Sequence, residues 1–97
     1  MTDNLDENFK AAVARMDRIS KSSPDEDLFK KYGDPLVMLY GYYKVATVGP
    51  IDRPKPGILD VKGRKKWDAW DKATKLNMTT EQAKARYIQS VLCLIRQ

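Results

Sequence analysis

The ten residues Tyr40-Gly-Tyr-Tyr-Lys-Val-Ala-Thr-Val-Gly49 are the most informative segment of this 97-residue chain. Tyr40, Tyr43 and Lys44 are three or four positions apart, so a helix places two aromatic rings and one ammonium on one face. Such a face can stack a nucleobase, which contributes about 1–3 kcal/mol, and can pair a phosphate with the lysine. Alternatively, the tyrosines are core residues whose hydroxyls reach the rim of the protein. The segment alone leaves both interpretations open.

Apolar residues at helical spacing precede this segment. Their stripe predicts a first helix from about Asp6 to Ile19, followed by a capping box at Ser23–Glu26 and a short helical turn through Lys31. After Gly33, Asp34 is expected to accept hydrogen bonds from the free N–H groups of a new helix. That second main helix is predicted from Pro35 to Ala46 or Thr47.

The residues after the segment predict a loop and two more helices. Val48–Asp60 holds three prolines and two glycines, which no regular element tolerates. A third main helix is predicted from Arg64 to Thr74, with Trp67 and Trp70 as core residues. A capping box is predicted at Thr79–Gln82. Apolar positions of the last helix are Ala83, Tyr87, Ile88, Val91, Leu94 and Ile95. Because no strand pattern competes, we predict a single all-α domain over residues 1–97 with four main helices.

The charge of the chain is concentrated in its second half. The whole sequence has 18 Lys and Arg against 13 Asp and Glu, a net charge of +5, and residues 53–75 hold eight bases and three acids. Lys62 and Lys66 are four positions apart and share a helix face. A basic segment of this kind favours an anionic partner, although a solvated lysine face is the commoner explanation.

Composition also excludes several functions. The chain has no His, which removes the commonest general base and zinc ligand, so we expect no catalytic and no metal site. Cys93, the one cysteine, is expected to be a buried and inert thiol. The longest uncharged stretches have nine residues, too few to span a bilayer at about 20 residues. The acidic start is unlike a secretory signal, so we expect a cytoplasmic protein.

Several sequence motifs, in their order and spacing, resemble those of the acyl-CoA-binding protein family. They are Tyr40 to Gly49, Lys55-Pro-Gly57, Asp60, Lys62-Gly63, Lys66-Trp67-Asp-Ala-Trp70, Ala83 and Tyr87-Ile88. The resemblance extends from Phe9 to about Leu94. It implies an up-down-down-up four-helix bundle with a long loop between the second and third main helices. It also implies non-covalent binding of long-chain fatty acyl-CoA by an intracellular carrier and pool former that is not an enzyme and needs no cofactor.

The resemblance further implies two sets of ligand contacts. Tyr40, Tyr43 and Lys44 match positions that meet the adenine and the ribose 3′-phosphate. The full set for the CoA nucleotide is Tyr40, Tyr43, Lys44, Lys62, Lys66, Tyr87 and Arg18. The set for the acyl groove is Phe9, Ala12, Val13, Leu36 and Val37.

The chain departs from the family pattern at two places near the expected site. Asp17 stands where the family usually has a basic residue, and the neighbouring Arg18 is expected to take over that contact. Residues 24–34 form an insert between the first two main helices, beside the expected acyl groove. We hypothesise that the insert changes which acyl chain lengths fit.

Two other classes of function remain as alternatives. The same Lys and Tyr residues could serve a small basic nucleic-acid-binding domain, although no nucleic-acid-binding signature is present. A regulatory or membrane-docking adaptor could use the basic loop from Arg53 to Lys66. For the family reading we expect a monomer whose partner is the small molecule acyl-CoA. We expect neither a nucleic-acid partner nor an integral membrane segment. Transient membrane contact and contact with acyl-CoA-using enzymes are the further candidate interactions.

Overall fold

The structure of the protein, a computed structural model, describes residues 2–23 and 25–96. Within these ranges it is all-α and has no strand, as predicted. The helices are α1 (Thr2–Ser22), α2 (Asp25–Tyr32), α3 (Asp34–Thr47), α4 (Val61–Lys75) and α5 (Thr80–Arg96). The four longer helices are the four predicted from the sequence, and the predicted loop separates α3 from α4.

The short helical turn predicted through Lys31 is the helix α2, which ends one residue later, at Tyr32. Its eight residues pack on α3, which stabilises a helix too short to persist alone. The predicted capping box Ser23–Glu26 includes Pro24, which lies outside the described residues, so this box stays a prediction. Only Gly33, at a φ of 65°, separates α2 from α3, and this left-handed conformation is one that glycine adopts freely.

The start of α3 corrects one prediction. Asp34 is the first residue of the helix and not its cap, because Gly33 occupies the capping position and no side chain caps this end. The later caps follow the sequence more closely. The N–H of Gln82 donates to Thr79 Oγ1 (3.1 Å) while the N–H of Thr79 donates to Gln82 Oε1 (3.0 Å), the predicted reciprocal box. Asp60 Oδ1 accepts from the N–H of Gly63, so α4 begins before the predicted Arg64.

Pairs of contacts show that α1 and α5 run in the same direction. Lys84 Nζ lies 2.7 Å from Asp6 Oδ1, and three residues further along both helices the ring of Phe9 meets the ring of Tyr87. Because the second contact lies further toward the C-terminus on both helices, α1 and α5 are parallel.

The helices α3 and α4 are parallel to each other by the same criterion. The Lys66 ammonium lies over the Tyr40 ring, and four residues further along both helices the Lys44 ammonium lies over the Trp70 ring. Against α5 the order is reversed, since Tyr43 meets Tyr87 while the earlier Met38 shares a groove with the later Cys93. The bundle is therefore up-down-down-up.

The core is built from the inward stripes of α1, α3, α4 and α5. Its most enclosed residues include Trp70, Ala83, Val91 and Leu94. The predicted inward face of α5 is confirmed at the last three of these positions. Cys93 lies one position off that stripe and is exposed, so the expectation of a buried thiol is wrong.

The loop at residues 48–60 is tied to α4 by both tryptophans. Trp70 is core, as predicted, and its Nε1 donates to the carbonyl of Gly49 (2.8 Å), which the φ of 107° at this glycine orients. Trp67 is only half-buried and donates from Nε1 to the carbonyl of Arg53 (2.8 Å). Trp67 therefore holds the loop instead of filling the core as expected.

Candidate functional site

A cleft of about 320 Å³ lies between α1, α2 and α3 and reaches side chains of α4 and α5. Most of its lining is aliphatic or aromatic, with few polar groups, which is typical of small-molecule sites. The lining residues are Val13, Met16, Asp17, Ser20, Leu28, Leu36, Val37, Leu39, Tyr40, Tyr43, Lys66 and Tyr87.

Three tyrosines and a lysine form the aromatic part of this cleft. The ammonium of Lys66 lies 5.4 Å from the centre of the Tyr40 ring. One turn along α3, the ring of Tyr43 lies 5.9 Å from the ring of Tyr87 on α5. Parallel α3 and α4 bring the first pair together, and antiparallel α3 and α5 bring the second together. The arrangement offers flat π faces beside one positive charge.

Phe9 supports this aromatic part from below. Its ring is buried, at 5.2 Å from Tyr87 in an edge-on arrangement and at 6.2 Å from Tyr43 in a stacked one. Aromatic pairs of this geometry stabilise by about 0.5–1.5 kcal/mol beyond the area that they bury. The two tyrosine rings are therefore held in place by the core of the bundle.

Burial governs the ionisation of two of the tyrosines. It raises the pKa of Tyr87 to about 12, with smaller contributions from Tyr43 and Asp17, and it raises the pKa of Tyr40 as well. Both hydroxyls are therefore protonated at neutral pH and can donate a hydrogen bond to a ligand.

Two further positive charges lie over the Trp70 ring. The Lys44 ammonium lies 4.6 Å from the ring centre and the Arg53 guanidinium 5.0 Å from it. Lys44 is half-buried here and does not line the cleft, although it follows Tyr43 directly in α3. Lys62 is exposed in the first turn of α4, one turn before Lys66.

Seven of the twelve residues predicted for the site line the cleft. They are Val13, Leu36, Val37, Tyr40, Tyr43, Lys66 and Tyr87. Phe9 and Ala12 are buried in the core, so they support the cleft without lining it. Arg18 is exposed outside the lining, whereas its neighbour Asp17 faces the cleft.

Five lining residues were not predicted from the sequence, and Leu28 is the most informative of them. It lies on α2, is 5% exposed and brings the insert into the wall of the cleft. The four-residue spacing of Leu28 and Tyr32 indicates a shared face of α2, but no sequence signal places that face against the cleft. Met16 belonged to the predicted apolar stripe of α1. The other missed residues are Asp17, Ser20 and Leu39.

No helix within residues 2–23 and 25–96 is long and apolar enough to cross a membrane. The fold and the cleft together define a small helical domain of the ligand-binding class. A family model described as "Acyl CoA binding protein" matches residues 6–91. The chain belongs to the acyl-CoA-binding protein family.

Individual relatives agree with the family match. The chain is 37% identical to an acyl-CoA-binding protein of Brassica napus, over 94% of this chain and 88% of that one. It is also 37% identical to acyl-CoA-binding domain-containing protein 5-B of Danio rerio, but spans only 20% of that longer protein. The crystal structure of Oryza sativa acyl-CoA-binding protein 2 superimposes with a TM-score of 0.78 at 35% identity, covering 98% of this chain and 92% of that one.

Proposed function

We propose that this protein binds long-chain fatty acyl-CoA esters without covalent change and serves as a carrier and pool former. The observation that carries the proposal is that one cleft joins a tyrosine and lysine part to an aliphatic part. A nucleotide thioester of a fatty acid has the same two-part chemistry. The family membership of the chain supports the same ligand.

The aromatic part suits the nucleotide. The rings of Tyr40 and Tyr43 line the cleft and suit stacking on adenine, and the Lys66 ammonium beside Tyr40 suits pairing with a phosphate. Lys44 is placed one residue beyond Tyr43, and we propose that it turns from the Trp70 ring toward the ribose 3′-phosphate. Lys62 and Arg18, both exposed, remain predictions as outer contacts.

The aliphatic part suits the acyl chain. Val13, Leu36 and Val37 line it together with Leu39, and each methylene removed from water contributes about 0.8 kcal/mol. Affinity should therefore rise with chain length until the cleft is filled. Phe9 and Ala12 act in this proposal as the packed layer behind the groove.

The insert helix α2 sets the length limit in this proposal. Leu28 reaches the cleft from α2, and Ser20 and Asp17 approach it from the end of α1. The Leu28 side chain takes up space in the cleft, and covering the polar groups of Asp17 and Ser20 with further methylenes costs free energy. The chain-length preference is thus attributed to the insert.

Calorimetric titration with four ligands tests the proposal. Palmitoyl-CoA is expected to bind tightly, CoA weakly and palmitate scarcely. A short oligonucleotide tests the alternative of a nucleic-acid-binding domain, whose affinity would fall steeply with salt. Equal affinity for CoA and palmitoyl-CoA would contradict the carrier reading. Location in the cytoplasm, a monomeric state and contact with acyl-CoA-using enzymes stay predictions.

A further inference from the structure

The loop before α4 displays two large apolar side chains to solvent. Ile58 is 81% exposed and Leu59 is 97% exposed, and the following Val61 is 59% exposed. The N–H of Asp60 donates to the carbonyl of Gly57 (3.0 Å), which places Ile58 and Leu59 at the two central positions of a turn. Glycine, proline, asparagine, aspartate and serine dominate such positions, so this pair contributes nothing evident to folding.

The turn is held in place by its surroundings. Arg64 Nη1 donates to the carbonyl of Pro56 (3.1 Å) on one side of the turn. On the other side, the Asp60 carboxylate accepts the N–H of Gly63 and caps α4. Ile58 and Leu59 are therefore presented to solvent from an anchored turn just before α4.

Positive charge surrounds this turn. Residues 53–66 hold six bases and one acid, Asp60, which caps α4, while Arg53 is paired with Asp52 just before this stretch (3.0 Å). Lys55 has its ammonium 3.0 Å from the Asp68 carboxylate, and Lys62 is exposed one residue after Val61. Apolar side chains bordered by bases match the two layers of an anionic bilayer surface, the acyl boundary and the headgroups.

We propose that this tip, defined as residues Gly57–Lys62, docks the protein on anionic phospholipid membranes. Ile58 and Leu59 enter the boundary between headgroups and acyl chains, and the neighbouring bases lie among the anionic headgroups. A protein partner fits the tip less well, because two projecting side chains are far smaller than the ~800 Å² that each side of a standard interface buries.

The docked orientation brings the candidate ligand site close to the bilayer. Lys66, which lines the cleft, lies five residues after Val61 along α4, a rise of about 7.5 Å. A protein bound by its tip thus holds one edge of the cleft near the membrane surface. Such a position shortens the path of an acyl ligand between cleft and bilayer.

Binding of the ligand-free full chain to sedimented vesicles tests the proposal, and its outcome is independent of acyl-CoA binding. The vesicles are phosphatidylcholine alone or phosphatidylcholine with phosphatidylserine. The wild type is expected to bind the anionic vesicles, less so at high salt. The double variant Ile58→Ser, Leu59→Ser is expected to lose at least about tenfold in partition coefficient.

The matched control is Leu76→Ser, which removes a half-exposed leucine at the opposite end of α4. It is expected to change binding less than about twofold, the range usual for surface substitutions away from a site. Circular dichroism of both variants checks that they fold. Absence of binding by the wild type, equal binding to neutral vesicles, or unchanged binding by the double variant would each overturn the proposal.

Discussion

The ammonium of Lys44 lies over the Trp70 ring, 4.6 Å from its centre. A cation–π contact at a partly exposed site contributes about 0.5–1 kcal/mol, less than a charge-assisted hydrogen bond to a phosphate. The energetic difference favours a lysine that exchanges one partner for the other when a nucleotide arrives. A substitution of Lys44 therefore distinguishes a lysine that stabilises the fold from one that binds the ligand.

Replacing Lys44 with alanine is expected to weaken acyl-CoA binding by more than about 1.5 kcal/mol. The free energy of unfolding should change by less than about 1 kcal/mol, since only the contact with Trp70 is lost. Calorimetry and urea unfolding measure the two quantities. Lys72→Ala, at an exposed lysine of the same charge on α4, should alter neither. Unfolding of the Lys44 variant would show that the lysine is structural.

The raised pKa of Tyr87 predicts that the protein loses stability at alkaline pH. Its pKa of about 12 in the folded protein exceeds the ordinary value of 10.0, so the neutral form is favoured by folding. The stabilisation is complete below pH 10 and is lost as the pH rises toward 12, by at most about 3 kcal/mol. Urea unfolding at pH 9 and pH 11, in wild type and Tyr87→Phe, is the measurement. Equal losses of free energy by both proteins between the two pH values would contradict a raised pKa of Tyr87.

Close approach of α3 and α4 depends on one glycine. A Cβ at Gly41 would overlap the carbonyl oxygen of Ala69 and also meet Cβ of Ala73. Gly41→Ala is therefore expected to lower the free energy of unfolding by about 1–3 kcal/mol, despite the better helix propensity of alanine. Gly57→Ala is the control, because open space surrounds that position, and it should change stability by less than about 1 kcal/mol. Equal effects of the two substitutions, measured by urea unfolding, would contradict the close helix contact.

The insert helix α2 is expected to control acyl chain length. Shortening the side chain in Leu28→Ala enlarges one wall of the cleft, so the preferred acyl-CoA should become longer. Titration with a series of saturated acyl-CoA esters measures the preference, and Leu92→Ala, at an exposed leucine of α5, serves as the control. Deletion of residues 24–32 that leaves the profile unchanged would refute the assignment.

At the scale of the whole molecule, the sequence predicts the bundle better than the insert. Apolar stripes at helical spacing and capping residues such as Thr79 indicate where the long helices lie, because these signals depend only on residues near in sequence. The helix α2 depends on packing against α3, and Gly33 replaces Asp34 as a cap through its backbone conformation. Neither is encoded in a pattern that spacing alone reveals.

The candidate site follows the same division. Helical spacing predicts that Tyr40 and Tyr43 share one face, and the family resemblance adds Lys66 to the same site. Leu28 could not be placed there, since its approach to the cleft depends on the angle of α2. Asp17 and Arg18 differ by one position, and only the rotation of α1 decides which of them faces the cleft.

The affinity difference between palmitoyl-CoA and CoA, measured by calorimetry on the same protein preparation, tests the central proposal most directly. Because one cleft holds both the tyrosine and lysine part and the aliphatic part, palmitoyl-CoA should bind at least about 100-fold more tightly than CoA. Equal dissociation constants for the two ligands would contradict the assignment of this cleft to a fatty acyl-CoA ester.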